Sequence, residues 1–328
     1  MDSGNIGFVL LCAAFVFVMT PGLAMFYGGL VRKKNVVNTM MTSIFIIGIG
    51  IVMWVLFGYS LSFAPSGNAF IGDFRWLGLE GVSLTEGYTD DASIPNMVFS
   101  AFQMMFAVIT PALITGAVAG RMKFKSIFVF TIFWSLIVYY PLAHMVWGQG
   151  GLLGADGIGA LDFAGGDVVH ISSGVSALVL CILLGKRHDY EHSIYRIHNI
   201  PKVVLGASLL MFGWFGFNAG SALAADGLAA HAFMTTGVSA AAAMLSWMLC
   251  DVIKNKKPTL IGASTGMVAG LVGITPGAGF VPMWAAVIIG LTTSPVCYIM
   301  ISYGKKKFGF DDCLLYTSPS PRDMRRSR

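Results

Sequence analysis

The sequence predicts an all-α polytopic membrane protein with about nine transmembrane helices. Three observations predict it. Hydrophobic residues make up 56% of the 328 and charged residues only 11%, with a mean hydropathy of +0.75, whereas soluble chains carry about 25% charged residues. Apolar runs of about 20 residues, the helix length that crosses a hydrocarbon core, recur along the chain. Basic residues collect in every second link between those runs. None of the runs shows the short polar–apolar alternation of a barrel strand.

The predicted spans are 6–31, 37–63, 95–119, 125–147, 168–185, 202–222, 230–253, 259–275 and 280–303. The first has no basic leader before it and is too long for a signal peptide, so it counts as a span. The link after it carries Arg32, Lys33 and Lys34. The next is acidic, with Asp73, Glu80, Glu86, Asp90 and Asp91 against Arg75. Arg121, Lys123 and Lys125 follow the third span, and 148–167 has no Lys or Arg. Lys186, Arg187, Arg196 and Lys202 follow the fifth, Lys254, Lys256 and Lys257 the seventh, and Lys305, Lys306 and Lys307 the ninth. The basic side of a membrane protein is cytoplasmic, so the N-terminus is expected outside a multi-pass protein of the cell membrane. A miscounted span would break this alternation.

Composition also excludes some functions. The net charge of +5 is explained by these topological clusters and implies no nucleic acid. Cys12, Cys181, Cys250, Cys297 and Cys313 have no CxxC spacing and read as thiols without a disulfide or metal framework. Closely spaced small residues in 237–246 and 262–270 read as helix–helix packing. Pro21, Pro111, Pro141, Pro276 and Pro295 fall within or near span ends, where kinks are tolerated.

The fifth span holds the main anomaly. His170 lies a turn or two inside an apolar run, where a titratable group costs free energy unless it meets a polar cavity or a partner. Four segments surround it in expectation. Phe102 and Phe106 share a helix face. Trp147 ends the fourth span, where it is an interfacial anchor or a cation–π surface. Asp162 and Asp167 precede the His170 helix, as an N-cap or as carboxylates that favour cations. Trp214, Phe217 and Ser221 form one stripe at i, i+3 and i+7. Each segment alone reads as readily as packing.

Together they resemble the ammonium transporter family, in its Amt/Mep branch related to the Rh glycoproteins. The resemblance rests on 19–29 (MTPGLAMFYGG), 143–148 (AHMVWG), 160–166 (ALDFAGG) with Val169 and His170, 213–222 (GWFGFNAGSA) and 270–276 (GLVGITP). It runs from about residue 5 to Cys313, so 1–313 is expected to form one membrane domain. The resemblance implies ammonium recruitment at an outer vestibule by Phe106, Trp147 and Ser221, with Asp162 as a buried acid supporting that region and the start of the His170 helix. It implies a gate of Phe106 over Phe217, with Phe102 beside it. It implies a narrow apolar pore lined by His170, Trp214 and Thr275. It further implies a homotrimer, a possible PII-type cytoplasmic regulator, methylammonium as a substrate analogue, and no metal or cofactor. A dry constriction makes a crossing charge expensive. It favours splitting ammonium into ammonia and a separately travelling proton, which imidazole can relay.

The family pattern has eleven spans in an inverted five-plus-five repeat, the tenth carrying a second pore histidine. Here the resemblance stops after Asp311-Asp312-Cys313, so the second half is expected to be incomplete. His144, His188, His192, His198 and His231 lie too near span ends or in links to replace that partner. Residues 314–328, with two prolines and four arginines, resemble translated adapter sequence or a disordered basic tail. An alternative function is an ammonium sensor on the same fold signalling to a cytoplasmic partner; another is a fragment that does not function because the second histidine is missing. An enzyme is not expected, since no nucleophile–base pair or metal cluster falls at membrane depth.

Overall fold

The computed structural model describes residues 1–154, 157–186, 197–309 and 311. Arg187, His188, His192, Arg196 and residues 314–328 lie outside the described residues. Nine helices among those described are long and apolar enough to cross a membrane: α1 (Ser3–Leu30), α2 (Lys33–Phe63), α3 (Asn96–Thr115), α4 (Phe124–Trp147), α5 (Gly166–Leu184), α6 (Ile200–Gly220), α7 (Gly227–Asn255), α8 (Leu260–Gly277) and α9 (Met283–Gly304). They match the nine predicted spans in order. Several starts differ from the hydropathy edge because a capping side chain sets them. Asp2, Asn199, Asp226 and Thr259 each accept the free amide of the residue three further on, satisfying donors that have no intrahelical partner.

α1 and α6 form the central pair, and they run antiparallel. Gly29 meets Val203, Gly22 meets Gly206, Met19 meets Gly213, and Cys12 meets Gly216 and Gly220. The glycines set the approach: a Cβ on Gly206 would stand 2.3 Å from the Phe26 amide nitrogen. In lipid, such close backbone contact replaces the hydrophobic driving force between helices. Around this pair the packing repeats. α1 lies on α2 and α3, and α6 lies on α7 and α8. α2 contacts α4 as α7 contacts α9. With five spans in the first half, the second half begins on the opposite face and is inverted relative to the first. α5 packs on α3 and at its start on α4 and α8, and has no second-half counterpart among the described residues.

Large apolar side chains such as Phe133, Ile137, Leu183, Leu249 and Ile253 face outward, a surface suited to hydrocarbon rather than water. Among the described residues, four π-helical turns interrupt the ladders, at Trp54–Gly58, Ser135–Tyr139, Gly166–Ile171 and Met300–Gly304. Such turns widen a helix locally and redirect its side chains. The third of them carries His170.

Candidate functional site

Asp162 builds the start of α5. The first amides of a helix have no intrahelical acceptor, and this carboxylate accepts four of them. Oδ1 receives the Gly165 and Gly166 N–H groups at 2.7 Å each, and Oδ2 receives Asp167 at 2.8 Å and Val168 at 3.2 Å. The turn requires Gly165 at φ +114°, which glycine adopts without a Cβ penalty. A negative charge there also complements the helix dipole. The Asp162 carbonyl accepts the Trp147 indole N–H at 3.0 Å, so one residue fixes both the α5 terminus and the indole at the end of α4.

The aromatics converge from three helices. Phe106 of α3 and Phe217 of α6 lie 4.3 Å apart between ring centroids, tilted by 40°. Phe102 meets Phe106 edge-on at 5.0 Å, and Trp147 meets it edge-on at 6.1 Å. On the other side of this pair, the His170 ring stacks on Phe217 at 5.9 Å and on Trp214 at 5.3 Å. Trp214 donates to the Thr275 hydroxyl at 2.9 Å. His170 Nε2 is enclosed and has no hydrogen-bond partner.

Three cavities follow one another along this line. A vestibule of about 620 Å³ on the N-terminal face is lined by Phe106, Trp147, Asp162 and Ser221. A narrow cavity of about 180 Å³ contains His170, Trp214 and Phe217, walled by Met19, Leu23, Ile109 and Leu210. A third, of about 450 Å³, lies toward the basic face and shares Phe26, Tyr27, Leu113 and Val268 with the second. Phe106 borders the first cavity and Phe217 the second, so the ring pair separates them. Among the described residues, no group of three or more His, Cys, Asp or Glu is placed to hold a metal ion.

A family model described as the Ammonium Transporter Family matches residues 7–315. The chain belongs to the ammonium transporter family. It is 52% identical to an ammonium transporter of Bacillus subtilis (strain 168), covering 96% of this chain and 76% of that protein. It is 46% identical to a putative ammonium transporter of Methanothermobacter thermautotrophicus, again over 96% and 76%. The crystal structure of Saccharomyces cerevisiae Mep2 superposes with a TM-score of 0.88 at 38% identity, covering 96% of this chain and 70% of that one. A solved Sensor Amt Protein gives 0.85 at 28% identity, covering 98% and 80%.

In this ammonium transporter family member, the residues singled out in the sequence occupy one continuous region. Phe106, Trp147, Ser221 and Asp162 border the vestibule; Phe217, His170 and Trp214 border the narrow cavity. Thr275 and Phe102 are fully buried and reach the region through Trp214 and Phe106. Asp167 is half-buried and lines none of the three cavities. His144 is held between the Ser62 and Asn68 carbonyls, and His231 bonds the Val281 carbonyl. Sequence reasoning missed Gln103, Tyr88 and Gln149, which also line the vestibule. Gln103 was reachable, because Phe99, Gln103 and Phe106 fall at i, i+4 and i+7 on one helix face. Tyr88 carried no such signal. It lies in an irregular link, stacked on Phe99 at 4.8 Å and bonded to Gln149 through its hydroxyl and its carbonyl.

Proposed function

We propose that the protein moves ammonium across the membrane, releasing it on the basic side as ammonia and a proton. The enclosed, partnerless His170 Nε2 inside an otherwise apolar cavity carries this reading. A nitrogen left without a partner at that depth costs free energy, and a small hydrogen-bonding solute satisfies it.

On this reading the N-terminal face is outside. Ammonium enters the vestibule and exchanges water for the π-faces of Phe106 and Trp147. The Ser221 hydroxyl spends its proton on the Phe217 carbonyl at 2.9 Å, which leaves its lone pairs for an ammonium N–H. The Phe106–Phe217 pair leaves no room for a hydrated ion and must turn aside. Beyond it the walls offer a charge little compensation, so neutral ammonia passes beside His170 while the proton takes a separate route. Asp162 acts through position, holding α5 and Trp147. The family resemblance extends the proposal to a trimer with one pore per subunit, a second pore histidine and a PII-type cytoplasmic regulator. Identity of 52% to a protein named as a transporter against 28% to one named as a sensor favours transport.

The test is methylammonium uptake by cells that lack other ammonium transporters and express the full-length gene product. Uptake should be lost with His170→Ala and with Asp162→Ala. Normal uptake by both variants at normal membrane abundance would overturn the site assignment.

A further inference from the structure

The vestibule has two walls that come from separate links of the chain. One is the end of the acidic link, with Tyr88, Asp91 and Ser93; the other is the turn from α6 to α7, with Ser221 and Leu223. Among the described residues, the Asn5 side chain joins them. Asn5, in the first turn of α1, donates from Nδ2 to Ser93 Oγ at 2.9 Å and accepts the Ala225 N–H on Oδ1 at 2.9 Å. The backbone acceptance fixes which end of the amide is oxygen. The same turn grips Ser93 again, because the Asp2 amide donates to the Ser93 carbonyl at 2.8 Å.

The segment that Asn5 holds is not relaxed. Leu223 sits at φ +59°, a left-handed conformation that a bulky residue keeps only when its surroundings enforce it. The Leu223 amide reaches back to Gly220 at 2.9 Å, and two residues later Ala225 is pinned to Asn5. Asp226 then caps α7 by accepting the Ala229 amide. Ser221 lies four residues before Ala225, at the vestibule end of this constrained stretch. α1 packs along α6 and on α3, so Asn5 refers both walls to the helices that carry Phe217 and Phe106.

We propose that Asn5 is a positioning residue that clips the two walls and thereby sets the affinity of the vestibule for ammonium. This rests on the transport reading above. Asn5 touches neither the gate nor the narrow cavity, so it governs capture rather than passage. Loss of the clip frees the Ser221 segment and lowers the fraction of time in which Ser221, Phe106 and Trp147 face one cation.

Two measurements on the full-length gene product test it. In cells, Asn5→Ala should raise KM for methylammonium by roughly 2- to 10-fold, the range of one net hydrogen bond, with Vmax retained. Asn5→Asp keeps an acceptor for both the Ala225 N–H and the Ser93 hydroxyl and should restore most of the affinity. In purified protein, Asn5→Ala should speed hydrogen exchange of the Ala225 amide and of 221–226 while α1 and α6 stay protected. Faster exchange with an unchanged KM would overturn the proposal, as would unchanged exchange. A fall in Vmax at constant KM would also overturn it. A wild-type protein that takes up no methylammonium would defeat the transport reading instead, and the exchange result would then decide whether the clip exists.

Discussion

Trp214 donates its indole N–H to the Thr275 hydroxyl at 2.9 Å, and Thr275 passes its own proton to the Leu271 carbonyl at 2.7 Å. This short relay ties α6 to α8 and holds flat the indole on which His170 stacks. Both residues are buried, so the indole N–H has no water to turn to. Thr275→Val keeps the shape and removes the acceptor. It should cost about 1–3 kcal/mol, lower the melting temperature in detergent, and reduce methylammonium uptake. Thr275→Ser should restore both.

Asp162 supports two elements at once, and its replacements separate charge from hydrogen bonding. Asp162→Asn keeps one acceptor oxygen for the α5 amides and loses the charge that complements the helix end. Asp162→Ala loses all four acceptances. The expected order of melting temperatures is wild type, then Asn, then Ala, with the Asn variant lower by about 1–2 kcal/mol. Trp147 fluorescence should report a loosened indole only in variants where α5 also frays. Equal stability of all three would show that the amides find other partners.

Much of this arrangement was legible in the sequence because it is local. The spans are runs of apolar residues, their order follows from alternating basic links, and the Trp214–Phe217–Ser221 stripe is a matter of helical spacing. His170 stood out because imidazole is rare in an apolar run. The remainder depends on chain segments that meet only in the fold. The Gln149–Tyr88 bonds join residues 61 apart, and the Asn5–Ser93 bond joins residues 88 apart. The first lies wholly in links that lack periodicity, and the second has its Ser93 end in one. The π-helical turn at Gly166–Ile171 was hidden too, since its cause is the four amides drawn onto Asp162 rather than any local propensity.

The glycines of α6 provide a packing test with an internal control. At Gly206 a Cβ would meet the Phe26 backbone at 2.3 Å, whereas at Gly48 of α2 it would meet nothing within 4 Å. Gly206→Ala must push α1 from α6 and should cost about 1–3 kcal/mol or more. Gly48→Ala should be neutral or gain up to about 1 kcal/mol, as alanine favours helix. Thermal unfolding in one detergent compares the two directly. Equal effects would mean that the α1–α6 approach is not set by Gly206.

Tyr88 gives the vestibule wall a pH limit. Burial pushes its phenol up to about 12, while the Gln149 amide bonded to the hydroxyl pulls the other way. A folded-state value above the unfolded one means that the folded protein holds the proton more tightly. The associated stability is therefore present below about pH 10, the ordinary tyrosine value, and is lost as pH rises toward 12. Melting curves across this window should steepen in their pH dependence. Tyr88→Phe should remove that part of the slope, leave stability at neutral pH lower by about one hydrogen bond, and leave uptake measurable.

His170→Phe separates folding from function most cleanly. Phenylalanine keeps an aromatic ring to stack on Phe217 and Trp214 and removes Nε2, which has no partner. An enclosed polar atom without a partner costs about 1–3 kcal/mol, so the variant should unfold at an equal or higher temperature than the wild type. Its uptake of methylammonium should nevertheless vanish, because the variant loses the imidazole nitrogen that on this reading exchanges a hydrogen bond or a proton with ammonia in the narrow cavity. Stability gained together with activity lost is the signature of a strained group kept for function. A stable His170→Phe protein that transports at the wild-type rate would remove His170 from the mechanism and leave the apolar cavity alone to explain passage.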